Sequence, residues 1–227
     1  MTDNDPLGGW RQGDALRYFC SWSGGKDSCL ALHRAMGLWG PPVCLFNMLT
    51  EDGEHSRSHG LPVRVLRAQA EAIGVPIILG SASWADYENE FVRQLQALAA
   101  QGVQAGVFGD LDLQVHWNWE RGVCGQAGIA ALEPLWQTEH EALVTEFIEA
   151  GFDALIVTVQ LDKVPESFLG RRYSEALVDL RDLGVDVSGE GGEFHTCVIA
   201  GPIFTALIGY EVEGIRRMGN HATLVLG

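Results

Sequence analysis

The sequence predicts an α/β chain: a doubly wound parallel sheet with helices on both faces, followed by a smaller α+β domain. Three observations carry this. Short apolar runs alternate with helical stretches from residue 16 to residue 108, and such strands imply a parallel sheet covered on both sides. A glycine pair, Gly24-Gly25, stands between the first strand and the first helix. The alternation ends near residues 130–134, beyond which helical and β-rich segments follow in a different order.

Taken in order, Leu16–Ser21 reads as a strand and Asp27–Met36 as the helix after it. Val43–Leu49 is a second apolar run behind Pro41-Pro42. A polar loop from Thr50 to Gly60 leads to a helix over Pro62–Ile73, with proline suited to the first turn. Val75–Leu79 is a third strand. In Trp84–Ala100 the apolar Phe91, Leu95 and Leu98 recur at spacings of four and three, the mark of one helical face. Gly106–Phe108 lies in a fourth strand that ends at Gly109-Asp110. Further on, Trp117–Gly128, Glu139–Glu149 and Ser174–Leu183 read as helices and Ala154–Leu161 as a β-rich run. Val185–Thr196 is dense in glycine and acid and must bend sharply. Ala206–Glu213 and Thr223–Leu226 read as two strands around Gly219-Asn220. Domains are expected at 14–132 and 133–227 behind a flexible tail of residues 1–13, with Pro134-Leu135-Trp136 as a punctuated linker.

The 227 residues carry 15 basic and 30 acidic side chains, a formal charge of −15. Nucleic acid and anionic membrane both call for a basic surface, so neither is an expected partner. The acid excess is greater beyond residue 110, which speaks against RNA docking there. The longest apolar stretches fall far short of the roughly 20 residues that span a bilayer, and no basic start with an apolar run marks a secretory signal. The five cysteines, Cys20, Cys29, Cys44, Cys124 and Cys197, are odd in number and never spaced C-x-x-C. Reduced thiols in a cytoplasmic protein fit that pattern better than disulfides or a zinc site.

The most informative segment is Ser21-Trp22-Ser23-Gly24-Gly25-Lys26-Asp27-Ser28. It follows a strand and opens a helix, where the first N–H groups lack intrahelical partners and the macrodipole is positive. Gly24 and Gly25 let the backbone approach phosphate oxygens without a Cβ in the way. Ser23 and Ser28 can donate hydroxyl hydrogen bonds, Lys26 adds a full charge, and Asp27 can hold Mg2+. A Walker A loop fails here, because Cys20 occupies its first glycine position and Asp27 follows the lysine. The dinucleotide pattern G-x-G-x-x-G fails as well, since no glycine lies two residues after Gly24 or Gly25.

Ser23–Ser28 resembles the pyrophosphate-binding loop of the PP-loop ATP pyrophosphatase superfamily. Gly189-Glu190-Gly191-Gly192-Glu193-Phe194-His195-Thr196, followed by Gly201-Pro202-Ile203-Phe204, is similar to the second hallmark of the diphthine–ammonia ligase family. Gly109-Asp110, Pro134-Leu135-Trp136 and Leu169-Gly170-Arg171 support the match, which runs from about Leu16 to Phe204. The resemblance implies a Rossmann-like nucleotide domain of the adenine nucleotide alpha hydrolase type. It implies cleavage of ATP between its α and β phosphates and adenylation of a carboxylate that ammonia then attacks. ATP would lie on Ser23–Ser28, with Ser58 and His59 nearby and Mg2+ on Asp27. Lys26, Asp27, Glu190 and Glu193 would be catalytic. Gly191, Gly192, His195, Thr196 and Asp110 would face the acceptor. In this family the acceptor is a carboxylate on a modified histidine of elongation factor 2, so that protein joins ATP and ammonia as an expected partner, with a homo-oligomer left open.

One segment departs from the family pattern, in which a tyrosine and several arginines follow Gly-Asp. Here Leu113-Gln114-Val115-His116-Trp117-Asn118-Trp119-Glu120 stands in their place, which bears on the acceptor more than on ATP. His55 and His59 have a metal-ligand spacing only if helical, and Gly53, Gly60 and Pro62 argue for a loop. Cys124 reads as a structural thiol. A tRNA-modifying PP-loop enzyme and a nucleotide sensor without turnover stay open at this point.

Overall fold

The computed structural model describes residues 5–227. Its first elements are β1 (Tyr18–Ser21), α1 (Lys26–Trp39), β2 (Cys44–Leu49), α2 (Val63–Ile73), β3 (Ile77–Ser81), α3 (Tyr87–Ala100), β4 (Ala105–Val107), α4 (Gln114–Ala127) and β5 (Ala130–Leu132). There follow α5 (His140–Glu149), β6 (Asp153–Gln160), α6 (Tyr173–Asp182), β7 (Phe194–Ala200), β8 (Val212–Met218) and β9 (His221–Leu226). The chain divides into two compact units. One holds the chain through Ser23, Asp27–His55 and Val75–Gln137; the other holds Gly24–Lys26, Ser56–Gly74 and Thr138–Gly227.

The first unit is a parallel sheet of five strands ordered β3-β2-β1-β4-β5, the Rossmann-like architecture that the sequence predicts. From β1 the chain steps outward to β2 and β3, then returns to the far side of β1 for β4 and β5. The strand order therefore reverses at β1 and β4, and ligands of open α/β sheets gather at the carboxyl ends beside such a reversal. Aromatic residues fill one face. Phe19 meets Phe46 and Phe108 edge to face, with centroids 5.9 and 5.8 Å apart, and Phe46 meets Phe91 of α3 at 5.0 Å. Gly106 makes this packing possible, because a Cβ there would lie 2.4 Å from Phe19 Cζ.

Two features of this unit escape the sequence pattern. β5 is a three-residue strand in what reads as the approach to a linker, and Leu135 and Trp136 beyond it are buried. The expected tail is also tied down over its described part: Glu133 N–H donates to Pro6 O, Gly13 N–H to Leu38 O, and Trp39 Nε1 to Arg11 O. Residues 1–4 lie outside the described residues.

In the second unit an antiparallel sheet runs β7-β6-β9-β8. β6 is central, its apolar Ala154–Val157 buried, and it pairs with β7 and β9. Its ladder with β7 is irregular between Ile156 and Thr158, opposite Thr196 and His195, and such a bulge re-aims neighbouring side chains. The strand expected over Ala206–Glu213 is displaced to Val212–Met218. Ile208 N–H donates to Ile199 O and Glu211 N–H pairs with Gly227 O, so the earlier residues are held as a loop. The sharp bend read over Val185–Thr196 is completed at Gly192 (φ 75°), and its last residues already belong to β7.

Candidate functional site

Ser23–Ser28 joins β1 to α1. In the second unit, Gly24–Lys26 lies along β7. Val198 N–H donates to Gly24 O at 2.9 Å, and Lys26 N–H donates to Thr196 Oγ1 at 3.0 Å. Gln69 of α2, fully buried, donates through Nε2 to Gly24 O at 3.0 Å and to Val198 O at 2.8 Å. A buried amide satisfied in this way pins both backbones at once. His59 Nδ1 lies 2.9 Å from Thr196 O. A carbonyl only accepts, so Nδ1 carries the proton and Nε2 is left as the unprotonated nitrogen. The imidazole stacks on His195 with centroids 4.6 Å apart. Burial pushes the His59 pKa down to about 4, and the Lys26 charge acts in the same direction against the pull of the Thr196 carbonyl. His59 is thus neutral at physiological pH.

The two glycines are required by packing as well as by any ligand. Gly24 has φ 79°, and a Cβ there would meet Gln69 Oε1 at 2.5 Å. At Gly25 a Cβ would lie 2.2 Å from His59 Cε1 and 3.1 Å from Thr196 O. His59 is held by its hydrogen bond and its stack, so it has little freedom to yield. Gly25→Ala is therefore expected to lower stability by about 1–3 kcal/mol, and His59→Gly in the same chain should return part of that loss. Urea denaturation of the three variants checks this; independent, additive effects would contradict it.

His59 also predicts a pH dependence. Its pKa is lower folded than unfolded, so the unfolded chain binds the proton first as pH falls. Its contribution is fully present above pH 6.5 and is lost between 6.5 and about 4. His59→Phe should flatten the stability profile in that window, measured by denaturation at pH 7 and pH 4.5. An unchanged slope would rule out His59 as its source.

In the first unit, Ser23 Oγ donates to Ser28 Oγ at 3.1 Å. Gly109, after β4, packs on the start of α1, where a Cβ would lie 2.9 Å from Asp27 C and Ser28 N. Asp110 follows, with His116 Nδ1 at 2.6 Å from its carboxylate. Burial acts to raise the Asp110 pKa, but hydrogen bonds from His116 and Glu120 prevail and hold it below the ordinary value. Glu120 and Glu133 are buried beside it, at 5% and 0% exposure. Burial and the neighbouring carboxylates push Glu120 well up, and burial raises Glu133 to about 8. Glu120 is accordingly the protonated partner that donates to Asp110.

The acidic turn before β7 is more constrained than composition suggests. Glu193 Oε1 lies 3.3 Å from Lys163 Nζ, and its carboxylate folds over Gly191, where a Cβ would meet it at 2.5 Å. Glu190 N–H donates to Ser188 Oγ at 3.2 Å. Gly192 adopts φ 75°.

Gly24, Gly25, Lys26, His59, His195 and Thr196 thus come together in one unit, and Ser23, Asp27, Ser28 and Asp110 lie in the other. Ser58 is exposed. Three residues of these clusters are not singled out by the sequence reading. Gln69 stands on the apolar face of α2 with Val65, Leu66 and Ala70, Glu120 on that of α4 with Trp117 and Cys124, and Glu133 follows an apolar strand. A polar residue on a buried stripe is the signal that would have found the first two. Cys124 is buried, which pushes its thiol up to about 12 and leaves it inert at neutral pH. Among the described residues no three His, Cys, Asp or Glu side chains gather as a metal cage. No helix of the described residues is long and apolar enough to cross a membrane.

Two family models match the chain: diphthamide synthase N-terminal domain over residues 16–131 and diphthamide synthase C-terminal domain over residues 139–223. A diphthine–ammonia ligase of Danio rerio is 28% identical, the match covering 80% of this chain and 81% of the relative. One from Schizosaccharomyces pombe is 27% identical over 80% of this chain, which spans only 34% of that relative's length. A solved chain described as a predicted subunit of tRNA methyltransferase, from Methanocaldococcus jannaschii, has a TM-score of 0.43 at 15% identity, covering 82% of this chain and 97% of its own.

Proposed function

Because the chain belongs to the diphthamide synthase family, we propose that it is a cytoplasmic, ATP-dependent amide ligase that releases AMP and pyrophosphate. The observation that supports this most is the junction of two hallmarks: Lys26 of the glycine loop is bonded through its N–H to Thr196, whose carbonyl lies against His59. A loop shaped to follow phosphates is thereby fixed to the strand that carries the family's second signature. ATP would lie with its phosphates on Ser23–Ser28. The acceptor carboxylate attacks the α phosphate, giving an acyl-adenylate and pyrophosphate, and ammonia then displaces AMP. Lys26 and the loop amides would stabilise charge developing on the phosphates, where preorganised donors are most effective. The neutral His59 offers Nε2 as an acceptor near that loop.

Mg2+ usually takes one or two carboxylates, with substrate phosphates and water completing its shell. Asp27 at the start of α1 fits that sparing role, and the bound ion would supply charge neutralisation. Glu190 and Glu193 would accept the proton that ammonia loses, Glu193 being poised by Lys163. Asp110, Gly191, Gly192, His195 and Thr196 would border the acceptor, which on family grounds is diphthine of elongation factor 2 or another carboxylate of that class. The charge of −15 disfavours the tRNA alternative. ATP–pyrophosphate exchange that depends on an acceptor carboxylate and is blind to ammonia tests the first half-reaction. ADP release in its place would remove the reading.

A further inference from the structure

We propose that His116 is the base that turns ammonium into the attacking ammonia, with Asp110 holding its ring in place. This role rests on the ligase reading and supplies the nucleophile for its second step. His116 Nδ1 lies 2.6 Å from Asp110 Oδ1. A carboxylate only accepts, so Nδ1 carries the proton, and Nε2 of the neutral ring is the nitrogen that can take another. A base bonded to an orienting carboxylate is the arrangement that general-base catalysis calls for. The imidazole is about half exposed, within reach of a small cation, while the Asp110 side chain is only 23% exposed. Asp110 does not cap α4: the hydrogen-bond partners of its carboxylate are His116 and the Glu120 carboxyl.

The pair stands where the first unit gathers its ligand groups. Asp110 follows β4, at the carboxyl edge beside the reversal of strand order at β1 and β4. Gly109 packs so closely on the start of α1 that a Cβ would lie 2.9 Å from Ser28 N. Asp110 is one residue further, its Cα about 3.8 Å along the chain, and so borders the end of α1 that carries Asp27 and Ser28. All of these residues belong to the same unit. No Lys or Arg lies between Gly109 and Glu120. A fixed cation there would neutralise Asp110 permanently and repel ammonium, whereas histidine pairs with the carboxylate and still takes and gives a proton. The segment in which the chain departs from the family's arginines thus gains a chemical use.

Ammonium gives one proton to Nε2 and becomes neutral ammonia with a free electron pair. The Asp110 charge stabilises the imidazolium that forms. The ammonia pair then makes the C–N bond to the acyl carbon of the adenylate, the C–O bond to the phosphate breaks, and AMP leaves with that pair. The surplus proton on nitrogen goes to the carboxylates given that step above, and the imidazolium returns its own proton to water. Dissolved ammonia is mostly ammonium at neutral pH, so without a base the nucleophile is scarce.

Hydroxylamine is neutral at pH 7.5 and needs no base to expose its electron pair, so it separates this step from the others. With ATP and diphthine-bearing elongation factor 2, His116→Gln should lower amide formation from ammonium by about 10²-fold or more. Hydroxylamine should restore most of the turnover, as hydroxamate. Gln can still donate to Asp110, so the variant keeps the bond and loses the basic nitrogen. Asp110→Asn should shift the ratio of the two nucleophiles in the same direction, since a neutral amide does not stabilise imidazolium. An equal loss with both nucleophiles, or none with ammonium, would overturn the role of His116. Absence of ATP–pyrophosphate exchange in the unaltered protein would instead remove the ligase reading, and this base with it.

Discussion

Lys26→Ala is expected to lower AMP formation by about 10²–10³-fold or more, the loss seen when one donor to developing charge is removed. Lys26 is the one basic residue within Ser23–Ser28, in a chain whose 15 basic residues stand against 30 acidic ones. Lys163, the second lysine, faces Glu193. Lys26 is 5% exposed at the first position of α1, where its ammonium adds to the partial positive charge of the helix end. The Lys26 N–H bond to Thr196 is a backbone bond and survives the substitution. The variant should therefore keep its fold by circular dichroism while losing single-turnover AMP release. Lys26→Arg should recover little, since a buried site shaped for an ammonium does not admit the larger guanidinium fork. Near-normal turnover in Lys26→Ala would sink the role of the loop.

Glu133→Gln is expected to stabilise the protein at pH 8 by on the order of 3 kcal/mol, with the gain shrinking as pH falls toward 4.5. The sign follows from linkage. The Glu133 carboxyl has its pKa raised from 4.5 to about 8 on folding, so the folded chain holds a proton that the unfolded chain has lost. Stability then falls as pH rises across that window. The amide keeps the shape of the side chain and cannot ionise. Glu120 is pushed up in part by the Glu133 charge, so the variant should also bring the Glu120 carboxyl back toward its ordinary value. Urea denaturation at pH 5 and pH 8 reads both effects. A stability difference that does not change with pH would contradict them.

In the parallel half, β1 to β4 were legible because each is a short apolar run alternating with a helical stretch. Gly24-Gly25 announced the loop after β1, and Gly109 the end of β4. The antiparallel half was harder to read. β8 is exposed along nearly its whole length, so no apolar run marks it, and the apolar Ala206–Ile208 drew the strand too early. β5 is three residues long and ends beside Pro134, too short to carry a period. Of the candidate site, Lys26, His59, His195 and Thr196 lie close together in the second unit; the sequence reading assigns the first two to ATP and the last two to the acceptor. Gln69 was hidden because a single polar residue on an amphipathic face looks like a boundary position until its two carbonyl partners are seen. Glu120 and Glu133 were hidden for a related reason: sequence shows acidic residues and cannot show which of them are buried together.

We propose that the Ser23–Ser28 loop supports adenylation followed by amidation. It is tested most directly by incubating the protein with α-labelled ATP, ¹⁵N-ammonium and diphthine-bearing elongation factor 2, and counting AMP against amide nitrogen in the product. One AMP and one pyrophosphate per ¹⁵N incorporated, with both lost in Lys26→Ala, is the predicted result. ADP in place of AMP, or amide formation that persists without ATP, would contradict it.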